Sequence, residues 1–171
     1  VSLLVAARRT GAILGVEASP SRFSIAQDAV HCVRNVTFEH GDVVQMRLPS
    51  GDAFLLIDVL YLFSDEIQIK ILKGCAEVMP SNSVLLIKEN TSVPPWKCWY
   101  ASFEETIKLW TGTYSVRTRR EPNYRAPECW RHLIGQANLQ IQEENYIKSM
   151  APYPGLILCL SKIASTSSHH F

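Results

Sequence analysis

Three acidic residues, Glu17, Asp42 and Asp58, each stand at or just past the end of a short apolar run. In open parallel sheets, ligands sit outside the carboxyl ends of the strands, which is where such acids would lie. A carboxylate at a strand tip can accept hydrogen bonds from both hydroxyls of a ribose. One that follows a glycine after the next strand, as Asp42 follows Gly41, can accept from an adenine amino group. The competing reading is that acids after strands cap the next turn or helix. Three of them in register favour the ligand reading.

The elements that must position these acids follow from the apolar pattern. Within Asp52 to Leu62, DAFLLIDVLYL, Phe54–Ile57 is an unbroken apolar run that Val59 and Leu60 continue past a single carboxylate, Asp58. A strand apolar on both faces must be covered on both, which predicts an inner strand of a parallel sheet with Asp58 at its end. Ser64 then caps a helix over Asp65–Met79, with Asp65 and Glu66 in its first turn and Ile67, Ile71, Leu72, Cys75 and Val78 as its inner stripe. Upstream, Ala12–Val16 reads as a buried strand ending at Glu17. Ser19 and Pro20 open a helix through about Val33 with Phe23, Ala26 and Val30 on one face, and Asn35–Glu39 reads as the next strand. Ser2–Arg9 has the texture of a helix end. Downstream, Pro80-Ser81-Asn82 breaks the helix and Ser83–Lys88 is a further apolar strand. The alternation defines an α/β chain.

Past Asn90 the texture changes. Thr91–Tyr100, with Pro94, Pro95, Trp96 and Trp99, reads as a stiff aromatic loop that either closes over an apolar substrate or covers the sheet end. Ser102 and Glu105 read as the capping box of a helix bearing Phe103, Ile107 and Trp110 and stopping near Gly112. Tyr114–Arg125 carries Arg117, Arg119, Arg120 and Arg125, either a solvated loop or a site for an anionic or carrier-bound substrate. Pro127 starts a helix ending near Asn138. Gln140–Lys148 and Leu156–Ile163 are closing strands, and Ala164–Phe171 a polar, flexible tail.

Composition narrows the class. The 171 residues make one domain, over 1–163, with room for a core, and the formal charge of +1 argues against a nucleic-acid footprint. Five scattered cysteines form no CxxC pair or Cys/His cluster, which reads as reduced thiols in a cytoplasmic protein with no metal site. No apolar run is long enough to span a bilayer. His31, His40 and His132 bracket no nucleophile or metal motif, and no residue stands out as a general base, so the catalytic residues are unassigned.

The runs GVEASPSRFSIAQ, NVTFEHGDV and DAFLLIDVLYLFSDEIQIKILKGCAEVMPSNSVLLIKE resemble motifs two to five of class I S-adenosylmethionine-dependent methyltransferases of the bacterial small-molecule type. The closing PYPGLILCLSK is similar to that family's final hairpin. The resemblance implies a Rossmann-like, seven-stranded sheet, mostly parallel with its last strand antiparallel. It implies methyl transfer from S-adenosylmethionine to a small molecule. Glu17 would bind the ribose with Ala18 lining that site, Asp42 and Val43 would hold the adenine, and Asp58 would lie near the methionine end. A nicotinamide-dependent oxidoreductase fits less well, for want of a Tyr-xxx-Lys pair.

The chain departs from the family at its front. The first, central strand and its glycine-rich loop should precede Ser2, and no GxGxG occurs. Unpaired buried backbone groups cost on the order of 1–3 kcal/mol each. This predicts either a piece of a longer protein with limited stability of its own, or two flanking strands that close up in altered register. It also keeps open a non-catalytic relic or partner subunit that binds no cofactor.

Overall fold

The computed structural model describes residues 11–111, 122–147 and 152–163. The expected helix end at Ser2–Arg9, the arginines 117, 119 and 120 and the tail Ala164–Phe171 lie outside the described residues. The chain divides into two compact units at Arg47 and Leu48.

In the first unit, β1 (Ile13–Glu17), α1 (Pro20–Val30) and β2 (Val36–His40) form a strand–helix–strand crossover whose strands pair in parallel, from Ile13 opposite Val36 to Glu17 opposite His40. Pro20 occupies the first helical turn, where its missing N–H costs nothing. The expected face of α1, with Phe23, Ala26 and Val30, is its least exposed. Gly15 is required by packing, because a Cβ there would lie 2.3 Å from Phe38 Cε1.

The second unit is a four-stranded sheet in the order β3 (Ala53–Ile57), β4 (Val84–Asn90), β6 (Gly155–Lys162), β5 (Leu139–Tyr146). β3 and β4 are parallel, and β6 runs antiparallel to both β4 and β5, the expected antiparallel close. Helices α2 (Asp65–Val78), α3 (Pro95–Trp110) and α4 (Pro127–Gln136) complete the unit. Leu85 and Ile87 of β4 and Leu156, Leu158 and Leu160 of β6 meet Ile71 and Leu72 of α2 and Trp130 and Ile134 of α4 in one buried core. Gln68 sits within it, fully buried, donating from Nε2 to the carbonyls of Leu60 and Phe63 at 2.8 and 3.0 Å, while its Oε1 accepts Arg125 Nε at 3.0 Å.

Not every expectation holds. β3 is not buried on both faces: Phe54 and Leu56 are half-buried, and Leu55 and Ile57 on the other face are more than half exposed. As expected, the strand ends beside Asp58, and Leu60–Leu62 beyond it forms a single 3-10 turn. Pro95–Tyr100 is not a loop but the start of a sixteen-residue helix, since a proline in the first turn opens α3 and leaves Ser102 and Glu105 mid-helix. Finally, the described strands number six, β1 with β2 in one sheet and β3, β4, β6 and β5 in another.

Candidate functional site

In the first unit the structure brings four candidate residues to one edge. Gly41 N donates to the Glu17 carbonyl at 3.1 Å and His40 Nε2 lies 3.2 Å from the Ala18 carbonyl, so Glu17-Ala18 runs beside His40-Gly41-Asp42. Glu17, Ala18, Asp42 and Val43 are all half-buried. Both carboxylates also do what the competing reading expected. Glu17 Oε1 accepts the Ser19 N–H at 2.8 Å, and Asp42 accepts Val44 N at 2.9 Å and Gln45 Nε2 at 3.1 Å. Neither is exhausted, because an ionised carboxylate has about four acceptor positions. Glu17 Oε2 takes no hydrogen bond among the described residues.

Asp58 belongs to the second unit. Its backbone is left-handed, with φ 52°, a conformation Asp tolerates better than most residues. Its N–H still donates to the Lys88 carbonyl at 2.8 Å, and Lys88 Nζ reaches both carboxylate oxygens, at 2.5 and 2.6 Å. The pair is partly exposed, so solvent screens it.

The next residue of β4, Glu89, is one that sequence reasoning missed. It is 1% exposed, and its Oε1 accepts the N–H groups of Val59 and Leu60 at 2.9 and 2.7 Å, holding the backbone just past Asp58. Burial pushes its carboxyl up to about 8; the donated N–H groups oppose that rise and the nearby Asp58 charge adds to it. Oε2 is buried without a hydrogen-bond partner among the described residues. A glutamate closing the apolar run VLLIKE was the available signal. Beside it, Tyr61 donates to the buried Glu105 at 3.1 Å, and Lys108 holds the other Glu105 oxygen at 2.9 Å.

Other candidates resolve into structure. Arg125 binds Asp65 and Gln68 rather than standing free for an anion. Trp96 and Trp99 are exposed on α3, and Tyr100, also exposed, packs edge-on against Tyr153 just before β6, with ring centroids 6.1 Å apart. Among the described residues no group of three or more His, Cys, Asp and Glu could hold a metal ion, and no helix is long and apolar enough to cross a membrane.

The O-methyltransferase domain family matches residues 15–134. The fold is shared with the mitomycin 7-O-methyltransferase MmcR (TM-score 0.69, 17% identity, covering 87% of this chain and 41% of that one). It is also shared with NcsB1, an O-methyltransferase from neocarzinostatin biosynthesis in complex with S-adenosyl-L-homocysteine and 1,4-dihydroxy-2-naphthoic acid (0.66, 20%, covering 94% and 45%). A third is an S-adenosylmethionine-dependent methyltransferase from Clostridium acetobutylicum (0.69, 9%, covering 95% and 79%). The chain spans less than half the length of the first two. No curated protein matches its sequence. With a strand–helix–strand crossover, a parallel pair closed by an antiparallel strand and the family match over most of its length, the chain belongs to the O-methyltransferase domain family.

Proposed function

We propose that the protein transfers a methyl group from S-adenosylmethionine to a small-molecule acceptor in the cytoplasm, and that residues 1–163 form its methyltransferase domain. The observation that carries this reading is the family match over 15–134, which spans all the candidate cofactor residues. The residues fit the cofactor: Glu17 Oε2 has capacity for ribose hydroxyls, beside Ala18, and Asp42 and Val43 are half-buried where an adenine would dock. Asp58 would face the methionine end, with Lys88 balancing its charge and Glu89 fixing the backbone beyond it. When bound, S-adenosylmethionine supplies an electrophilic sulfonium methyl for in-line attack by the acceptor. The chain's own contribution is positioning, with no side chain assigned as general base.

A second reading, a relic or partner subunit that binds no cofactor, is favoured by the local hydrogen bonds already made by Glu17 and Asp42. Thermal unfolding with and without S-adenosylhomocysteine decides between them. A ligand at a hundred times its dissociation constant stabilises by about 2.7 kcal/mol. A raised Tm supports the enzyme, and an unmoved Tm at millimolar ligand supports the relic.

A further inference from the structure

Tyr61 is a buried phenol just past the carboxyl end of β3, in the 3-10 turn Leu60–Leu62 that follows Asp58. It is fixed from three sides. Glu89 accepts the neighbouring Leu60 N–H at 2.7 Å, the Asn123 N–H donates to the Tyr61 carbonyl at 2.8 Å, and the Tyr124 ring centroid lies 5.1 Å from that of Tyr61. The phenol donates to Glu105 Oε2 at 3.1 Å, and Lys108 Nζ holds Oε1 of the buried Glu105 at 2.9 Å. Lys108 also reaches Glu104 at 2.7 Å, and Glu104 and Glu105 hold its ammonium well above the ordinary range, so it stays charged. A phenol, a carboxylate and an ammonium are thus linked in series, from the carboxyl edge of the sheet to a lysine whose side chain is 38% exposed.

We propose that Tyr61 is the catalytic residue that takes the acceptor's proton and relays its own to Glu105, an assignment that rests on the methyl-transfer reading above. A phenol oxygen that donates one hydrogen bond can accept another, so Tyr61 can receive an acceptor O–H while its own proton lies toward Glu105. As the acceptor oxygen bonds to the methyl carbon, the carbon–sulfur bond breaks and its electron pair stays on sulfur. The acceptor's O–H, made strongly acidic by the new bond, breaks toward Tyr61 Oη, and the phenol's proton passes to Glu105 Oε2. Sulfonium and carboxylate charges are discharged together, and Tyr61 is neutral before and after. Two observations select this phenol over its neighbours. Burial holds the Glu89 carboxyl up at about 8, so below that pH it has no charge with which to draw a proton, and its Oε1 is occupied by the Val59 and Leu60 N–H groups. Asp58 is partly exposed with both oxygens on Lys88, whereas the Tyr61–Glu105 bond is buried, where a hydrogen-bonded relay is stronger.

Calorimetry of the full-length protein with two cofactor analogues tests this independently of the acceptor. S-adenosylhomocysteine lacks the methyl group, whereas sinefungin carries an amine in its place, a cation that donates to whatever oxygen faces the transferred methyl. Tyr61→Phe is expected to weaken sinefungin binding by roughly 10- to 100-fold while leaving S-adenosylhomocysteine within about twofold. Glu105→Gln keeps an oxygen for the phenol and removes the charge behind it, so it should weaken sinefungin by roughly threefold or more, again selectively. Far-UV circular dichroism of Tyr61→Phe should be unchanged, because the ring still packs on Tyr124. If Tyr61→Phe weakens both analogues equally, or weakens neither, the proposal is overturned and the methyl-transfer reading stands. Sinefungin binding that ignores Glu105→Gln overturns the relay. A wild type that binds neither analogue overturns the proposal and the reading together.

Discussion

Glu89 and Leu60 are 29 residues apart in sequence, yet Glu89 Oε1 accepts the Leu60 N–H at 2.7 Å with both residues buried. One carboxyl at the end of β4 thereby fixes the chain as it leaves β3, immediately beyond Asp58. Because burial holds that carboxyl at about 8, well above its ordinary range, the folded state binds its proton more tightly than the unfolded state does. The contribution to stability is therefore fully present below about pH 4.5 and is lost as pH rises through about 8. Glu89→Gln, which keeps an oxygen for the two N–H groups and cannot ionise, should flatten the fall in Tm between pH 5 and 9. An unchanged pH profile in the variant would show that Glu89 is not the group responsible.

Asp58 separates backbone need from side-chain need. With φ at 52°, Asp58→Gly should fold at least as well as wild type, whereas Asp58→Val should lose about 1–2 kcal/mol. Both remove the Lys88 ion pair, so the difference between their urea midpoints isolates the backbone term. Equal midpoints would contradict the left-handed assignment.

Gly15 and Phe38 form a second such pair. Gly15→Ala puts a methyl 2.3 Å from the Phe38 ring and should cost about 1–3 kcal/mol. Phe38→Leu in the same chain should recover part of that loss, a coupling that a double-mutant cycle in urea measures directly. Additive effects would mean that the ring swings clear.

Removing Trp130, 1% exposed at the centre of the second unit, should cost about 3–5 kcal/mol as Trp130→Ala. The loss should appear in the urea midpoint of the transition that reports the β3–β4–β6–β5 sheet. A smaller loss than ~1 kcal/mol would show that the core collapses around the gap.

Much of this was legible in the sequence, because its elements are short and strongly punctuated. Pro20, Pro80 and Pro127 mark helix boundaries that the structure places within a residue or two, and the Ile71, Leu72, Cys75 stripe of α2 is buried as its spacing demands. The first-unit candidates Glu17, Ala18, Asp42 and Val43 do share one edge. What was not legible depends on neighbours distant in sequence. The run at Phe54–Ile57 reads as buried on both faces, but burial of Leu55 and Ile57 depends on what packs there, which no local pattern encodes. Trp96 and Trp99 after two prolines read as loop, although Pro95 at a helix start gives the same signal. Glu89 escaped notice because its role is to bind backbone N–H groups at Val59 and Leu60, contacts set by the parallel pairing of β3 and β4.

The central claim is that Glu17 holds the ribose of S-adenosylmethionine. Isothermal calorimetry of the full-length protein, wild type and Glu17→Ala, tests it most directly. Hydrogen bonds to a charged group contribute about 1.5–3 kcal/mol each, so the variant should bind at least tenfold more weakly with its fold intact. Binding unaffected by Glu17→Ala, or no binding by the wild type, would contradict the account.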